Sequence, residues 1–194
     1  MKLSEKRLLN KKEQILISAI KIVNQKGFQN TTMEEVAAEL LMTKGSLYYY
    51  FKNKEDLLFQ CHKLVLSRAI EELQAHIDEE TTYENRLRKM IKTHIDYAIE
   101  EKETFNIIIK PSETFSGTKL EPILEIRRTY AGYFYRVIKD GISAKEFKND
   151  EPKIVSMFLL GSMNWLQQWY NPAGKKSKEE IQDIYAEYIL KILK

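Results

Sequence analysis

A chain of 194 residues that is 43% hydrophobic and 30% charged is long enough to bury a core and too apolar to stay disordered. Its net charge of +3 is uneven: residues 1 to 60 hold 10 Lys and Arg against 7 Asp and Glu, and the remainder balances at 21 against 21, as expected of a phosphate-facing end joined to a neutral body. One cysteine, Cys61, excludes an intrachain disulfide; the N-terminus lacks a secretory apolar stretch, and the longest apolar run, Ile154 to Met163, is too short to span a bilayer, so a cytoplasmic protein with no membrane partner is expected.

The opening places Lys2, Lys6, Arg7, Lys11 and Lys12 before the first strongly periodic segment, where they would form a basic arm able to follow a phosphate backbone; a solvated, frayed end is the alternative. A helix from about Lys12 to Lys26 carries Ile15, Leu16, Ala19, Ile22 and Val23 on one face, and Gly27 ends it before Phe28 turns back into a small core. Thr31 and Thr32 stand where the next helix begins, Glu34 and Glu35 suit its positive end, and Val36, Ala37 and Leu40 make its apolar face. Thr43 then caps a short helix that turns Leu47 and Phe51 inward and presents Lys44, Gly45, Ser46, Tyr48 and Tyr49 outward. A cation, a bare backbone position and several hydroxyls on one helix face suit a DNA major groove: Lys44 can donate to guanine acceptors, Gly45 allows close approach, and the hydroxyls of Thr43, Ser46, Tyr48 and Tyr49 can reach phosphates or bases. Tyr50 is the tyrosine of the run best placed to pack. Asn53 caps a long helix to about Glu79, with Lys54 at its start as a second phosphate clamp. No Pro, Gly or Ser-rich linker interrupts this helix, so it must join both halves of the chain as a rigid lever.

In the second half Thr82 caps a helix to about Glu101, a shorter one near Thr104 to Lys110 stops at Pro111, and residues 111 to 119 read as a loop. A long helix from about Leu120 to Ala144 carries Tyr130, Tyr133, Phe134 and Tyr135. Pro152 opens a helix that is apolar nearly all round, and Ser177 caps a last helix with Ile181, Ile184, Tyr185, Tyr188, Ile189 and Ile192 on one face. These last two helices are expected to pair with their copies in a four-helix dimer seam, which a charge at Ile184 or Ile189 would break. Phe105, Tyr130, Phe134, Met157, Met163 and Trp165 supply aromatic and sulfur surface suited to a cavity for a bulky hydrophobic ligand between helices, although Trp165 and Trp169 could equally anchor the seam.

The stretch T-T-x-x-x-V-A followed by T-K-G-S-L-Y-Y-Y-F-K-N-K-E-D-L-L resembles the DNA-binding region of TetR-type bacterial transcriptional regulators, over roughly residues 12 to 60. The resemblance implies an all-α homodimer: an N-terminal three-helix helix-turn-helix domain, residues 1–52, and a C-terminal helical effector-binding and dimerisation domain, residues 53–194. By position it implies phosphate contacts for Thr32, Ser46, Tyr48, Tyr50 and Lys54, and base or groove contacts for Lys44, Gly45 and Tyr49. One departure stands out: the turn between the reading helices usually holds a glycine, and Leu41 is there instead, so the turn must either avoid positive φ or store of the order of 1 kcal/mol of strain. The segment WLQQWYNPAG is similar to the lipid-responsive branch of that family, which implies a long-chain fatty acyl thioester as effector.

The remaining chemistry is sparse. His62, His76 and His94 form no i, i+3 or i+4 pair, Cys61 and His62 point apart on a helix, Gly174-Lys175-Lys176-Ser177 lacks the earlier glycine of a phosphate loop, and no carboxylate pair is marked for acid–base work. The expected protein therefore has no catalytic residues, metal or cofactor, and its partners are an operator duplex, its own copy and a small hydrophobic effector. A multidrug-responsive repressor of an efflux gene, or a helical protein-interaction module, are the alternatives.

Overall fold

The computed structural model describes residues 3–27, 29–106, 111–148 and 151–194. Among them run ten α-helices and no strand: α1 (Leu3–Lys26), α2 (Met33–Glu39), α3 (Lys44–Tyr50), α4 (Lys54–Asp78), α5 (Tyr83–Glu100), α6 (Lys102–Asn106), α7 (Pro111–Thr114), α8 (Leu120–Ser143), α9 (Pro152–Trp169) and α10 (Lys178–Leu193). The all-α architecture follows from local signals. Thr32, Thr43, Asn53, Thr82 and Ser177 each accept the backbone N–H three residues on, and Thr32 and Ser177 complete capping boxes with Glu35 and Glu180. Thr31 is instead buried and its hydroxyl donates to the Gly27 carbonyl, while Gly27, at φ 84°, closes α1 in the conformation glycine adopts without cost.

The first expectation to change is the basic arm: Lys6, Arg7, Lys11 and Lys12 lie on α1, which is helical from Leu3, because nothing in this stretch breaks a helix. Phe28, Lys2 and the end of the helix expected to stop at Lys110 lie outside the described residues. The stretch from residue 111 is not a loop throughout, since α7 occupies Pro111–Thr114 and a 3-10 turn Gly117–Lys119 leads into α8; proline fits the first turn of a helix as well as its end.

Helices α1 to α3 pack around Ile15, Ala19, Val36, Leu47 and Phe51, and α4 carries that core without a break into the second half through Leu57, Cys61, Val65, Ala69 and Leu73. In the body α5 lies centrally, packed against α4, α8, α9 and α10. Two expectations about the last helices are corrected. The α9 helix is not buried all round: Val155, Leu159, Met163 and Leu166 face the core, whereas Ile154, Met157, Phe158, Trp165 and Trp169 are exposed. On α10 Ile189 is buried inside the protomer, Ile184 is partly covered, and Tyr188 and Ile192 look outward. A charge at Ile189 would therefore attack the fold itself before any assembly. None of the described helices is long and apolar enough to cross a membrane.

Candidate functional site

The α2–turn–α3 unit is built so that one face anchors and the other is free. Leu47 and Phe51 are fully buried beneath α3, and this fixes the opposite side, where Thr43, Lys44, Gly45, Ser46, Tyr48 and Tyr49 are all exposed. Tyr49 is the most open, at 75%, and Tyr48 stands at 42%. Tyr50 is partly covered and packs on the core, edge-on to Tyr49 at 5.2 Å between ring centres. At Gly45 an added Cβ would meet only the Thr43 hydroxyl, at 4.0 Å, so the protomer does not require glycine there; what the residue provides is bare backbone on the outer face.

Leu41 resolves the question of the turn. It takes φ 52° with its side chain 96% exposed, and its N–H bonds to the Ala38 carbonyl at 3.0 Å while the Met42 N–H reaches the Ala37 carbonyl at 2.8 Å. That pair of bonds is the Schellman ending in which glycine is usual, so the turn keeps the left-handed geometry and a leucine bears a strain of about 1 kcal/mol.

Several of the expected DNA contacts are already engaged inside the protomer. Lys44 is ion-paired with Glu34 of α2, and the hydrogen bond to that carboxylate holds the Lys44 ammonium above its ordinary range and Glu34 below its own. Both groups are more than half exposed, and an exposed pair of this kind is weak enough for a phosphate or base acceptor to replace Glu34. The Lys54 ammonium donates to the Gln29 carbonyl at 2.9 Å, tying α4 to the α1–α2 connection, so the second phosphate clamp is a structural tie in the free protomer. The Thr32 hydroxyl is committed to the cap, accepting from the Glu35 N–H at 3.2 Å. Thr43 accepts from the Ser46 N–H at 3.1 Å, and its hydroxyl and that of Ser46 share a hydrogen bond of 2.9 Å on the exposed face.

In the body a cavity of about 320 Å³ lies between α8 and α9, closed by α5 and α6. Of the six residues expected to hold a ligand, Phe105, Tyr130 and Met157 line it. Phe134 and Met163 are buried in the core and do not reach its wall, and Trp165 is 65% exposed on the far face of α9. Sequence reasoning missed His94, Asn164, Leu160 and Arg127 on the same wall. The signal for His94 was present: a lone histidine in the apolar stripe Met90, Ile91, Ile95 and Ala98 of α5, all buried. Burial holds its imidazole neutral, with a pKa down to about 3, and its Nδ1 sits 3.1 Å from the Tyr130 hydroxyl. Arg127 and Arg128 stand exposed at the rim, the second held by Glu121 and Glu125 at 2.6 Å each.

Hydrogen bonds join the cavity wall to α1 and α4. Phe105 belongs to α6, whose neighbouring Thr104 is held from two sides: His62 of α4 meets its carbonyl at 2.8 Å, and its N–H donates to the Asn24 side chain of α1 at 3.2 Å. Asn24 in turn donates to Glu101 at 2.5 Å. Cys61, beside His62, points elsewhere, its thiol toward the Leu16 carbonyl at 3.7 Å, and burial pushes its pKa up; the two are not a dyad. No group of three or more His, Cys, Asp or Glu side chains among the described residues could hold a metal ion.

Two family models match this chain: bacterial regulatory proteins of the tetR family over residues 15–61, and the tetracyclin repressor-like C-terminal domain over residues 80–193. A fatty acid metabolism regulator protein of Bacillus subtilis (strain 168) is 24% identical over 155 residues, which cover 78% of either chain. Among solved structures, a transcriptional regulator of the TetR/AcrR family from Thermobifida fusca superposes with a TM-score of 0.79 at 24% identity, covering 93% of this chain and 97% of its own. AibR, solved in complex with isovaleryl coenzyme A and operator DNA, gives 0.78 at 23% identity, covering 91% and 96%. At these identities the structural likeness establishes the shared fold.

Proposed function

This chain belongs to the TetR family of bacterial transcriptional regulators, and from that premise we propose that it is a homodimeric repressor that binds a palindromic operator and is released by a hydrophobic effector. The observation that carries the reading is the face of α3, where Lys44, Gly45, Ser46, Tyr48 and Tyr49 lie exposed over a fully buried Leu47 and Phe51. In this reading residues 1–52 form the DNA-binding domain and 53–194 the effector and dimerisation domain. Tyr49, Lys44 and Gly45 face base edges, and Ser46, Tyr48 and Thr43 face phosphates. The exposed apolar stripe of α9, with Tyr188 and Ile192 of α10, is the dimer seam; two copies set the two reading helices into successive major grooves about 34 Å apart.

The effector enters between α8 and α9. Taking roughly 30 Å³ per water-sized heavy atom, a cavity of about 320 Å³ seats about ten such atoms of an acyl chain. An acyl coenzyme A fits this arrangement, its acyl part inside and its phosphates on Arg127 and Arg128. The DNA and isovaleryl coenzyme A held by AibR support the pairing of these two ligands on one such fold. Displacement of Phe105 is passed through Thr104 to Asn24 of α1 and to His62 of α4, changing the spacing of the reading helices. By linkage, effector and operator weaken each other by the same factor.

The test is operator binding at increasing salt, followed by acyl thioesters of increasing chain length. Several phosphate contacts per subunit give a steep fall of log K with log salt, about 0.9 per contact. A flat salt dependence would point to a helical protein-interaction module, and release by aromatic cations but by no thioester would point to drug-responsive control.

A further inference from the structure

The α2–α3 unit carries more negative than positive charge. Between Thr32 and Phe51 stand three carboxylates, Glu34, Glu35 and Glu39, and one ammonium, Lys44, an unfavourable balance for a surface that meets phosphates. Glu35 has a local task, since it closes the capping box with Thr32 and pairs with Lys26 at 2.8 Å. Glu34 shares with it the first turn of α2, where any acid suits the positive end of the helix. Its carboxylate does something more: it is ion-paired with the Lys44 ammonium, in the first turn of α3, and both side chains are more than half exposed. Lys44 also lies over the Tyr48 ring, 5.9 Å from its centre. The one cation between Thr43 and Tyr49 is therefore held by an anion that belongs to the same unit.

Two kinds of acceptor compete for Lys44 on a duplex. A phosphate is a full anion, and to reach Lys44 it must approach Glu34 as well, so attraction to the ammonium is offset by repulsion from the carboxylate. Guanine instead offers N7 and O6, neutral acceptors that Lys44 can meet while Glu34 stays beside it. The carboxylate thus penalises contacts made by charge alone and spares those made to a base edge. We propose that Glu34 is a specificity-determining residue: a counter-anion built into the reading unit that weakens its grip on duplexes of the wrong sequence. Selectivity then comes from repelling the competitor and not from a further contact to the operator. This rests on reading α3 as the DNA-facing helix, and it assigns to α2 a part in discrimination that no contact of its own requires.

Glu34→Gln keeps the size of the side chain and removes its charge. Binding of the full-length protein is measured over a range of salt on two duplexes, one selected by the unaltered protein from a random pool and one of scrambled sequence. The variant should bind the scrambled duplex about fivefold more tightly at low salt, the order set by one exposed ion pair. Its salt slope there should steepen by about 0.9, the mark of one added phosphate contact, while affinity for the selected duplex changes by less than about twofold. Glu34→Asp, which keeps the charge, should stay closer to the unaltered protein than to Glu34→Gln. Glu39→Gln removes the same charge from the last residue of α2 and should shift scrambled-duplex affinity by less than about twofold. Unchanged scrambled-duplex binding in a Glu34→Gln protein with parental circular dichroism would overturn the proposal, and so would an equal gain in Glu39→Gln. A loss of affinity for the selected duplex alone would overturn it too, as the sign that Glu34 itself accepts from a base. These three results leave the repressor reading standing, because the unaltered protein still binds its selected duplex. Failure of the unaltered protein to select any duplex would remove that reading, and the proposal with it.

Discussion

Replacing Trp165 by glutamate tests the assignment of the exposed α9 stripe to the dimer seam. Trp165 is 65% exposed in the protomer, and a tryptophan presents about 250 Å², so about 160 Å² of largely apolar surface remains to be covered. At about 25 cal/mol per Å² its full burial is worth about 4 kcal/mol in one protomer and about 8 kcal/mol in a two-fold seam. That is a ceiling. Covering half of the surface leaves about 4 kcal/mol, which raises the dimer dissociation constant about a thousandfold when lost. Sedimentation equilibrium of Trp165→Glu should accordingly show folded monomer, and operator affinity should fall with it. The contrast is Ile189→Glu, at a side chain only 2% exposed inside the protomer, which should lose helical circular dichroism rather than merely dissociate. An unchanged dimer constant in folded Trp165→Glu would refute the argument and place the seam on another face.

On the reading helix, Lys44→Ala and Tyr49→Ala should each lower operator affinity and relax base preference, with about 1 to 3 kcal/mol for a lost base contact, while Tyr48→Phe should weaken all duplexes about equally; gel shifts at fixed salt on operator and scrambled duplexes would show parent-like behaviour if α3 is not the reader. Acid stability follows from two buried histidines, since burial holds His62 at about 4 and His94 at about 3 against about 6.5 in an unfolded chain. The unfolded state therefore binds the extra protons, so the contribution present above about pH 6.5 is lost as pH falls toward these values, by about 2 kcal/mol per histidine at pH 5. Urea midpoints at pH 7 and 5 would register that loss, and an imidazole resonance of His94 titrating near 6.5 would contradict it.

Much of the chain was legible because capping and helical periodicity act over three or four residues. Thr32, Thr43, Asn53, Thr82 and Ser177 all cap where their types and followers place them, and the inward Leu47 and Phe51 beneath an outward Lys44, Gly45 and Tyr49 follow from spacing alone. The family was legible for the same reason, since its motif is a contiguous run. What the sequence left open depended on partners far along the chain. Lys54 meets a carbonyl 25 residues away, and no local pattern distinguishes that tie from a free phosphate clamp. In α9 the apolar residues surround the helix, so only its packing against α5 and α8 decides that Met163 goes inside and Trp165 outside. The same packing brings His94, from α5, and Asn164, from α9, to one cavity wall. Sequence by itself determined where the capped helices start and which residue types their outer faces carry, because those are properties of one turn of backbone; the tertiary structure alone decided which apolar faces became core, which line the cavity and which stay exposed, because burial is a property of neighbours that the chain brings together only when folded.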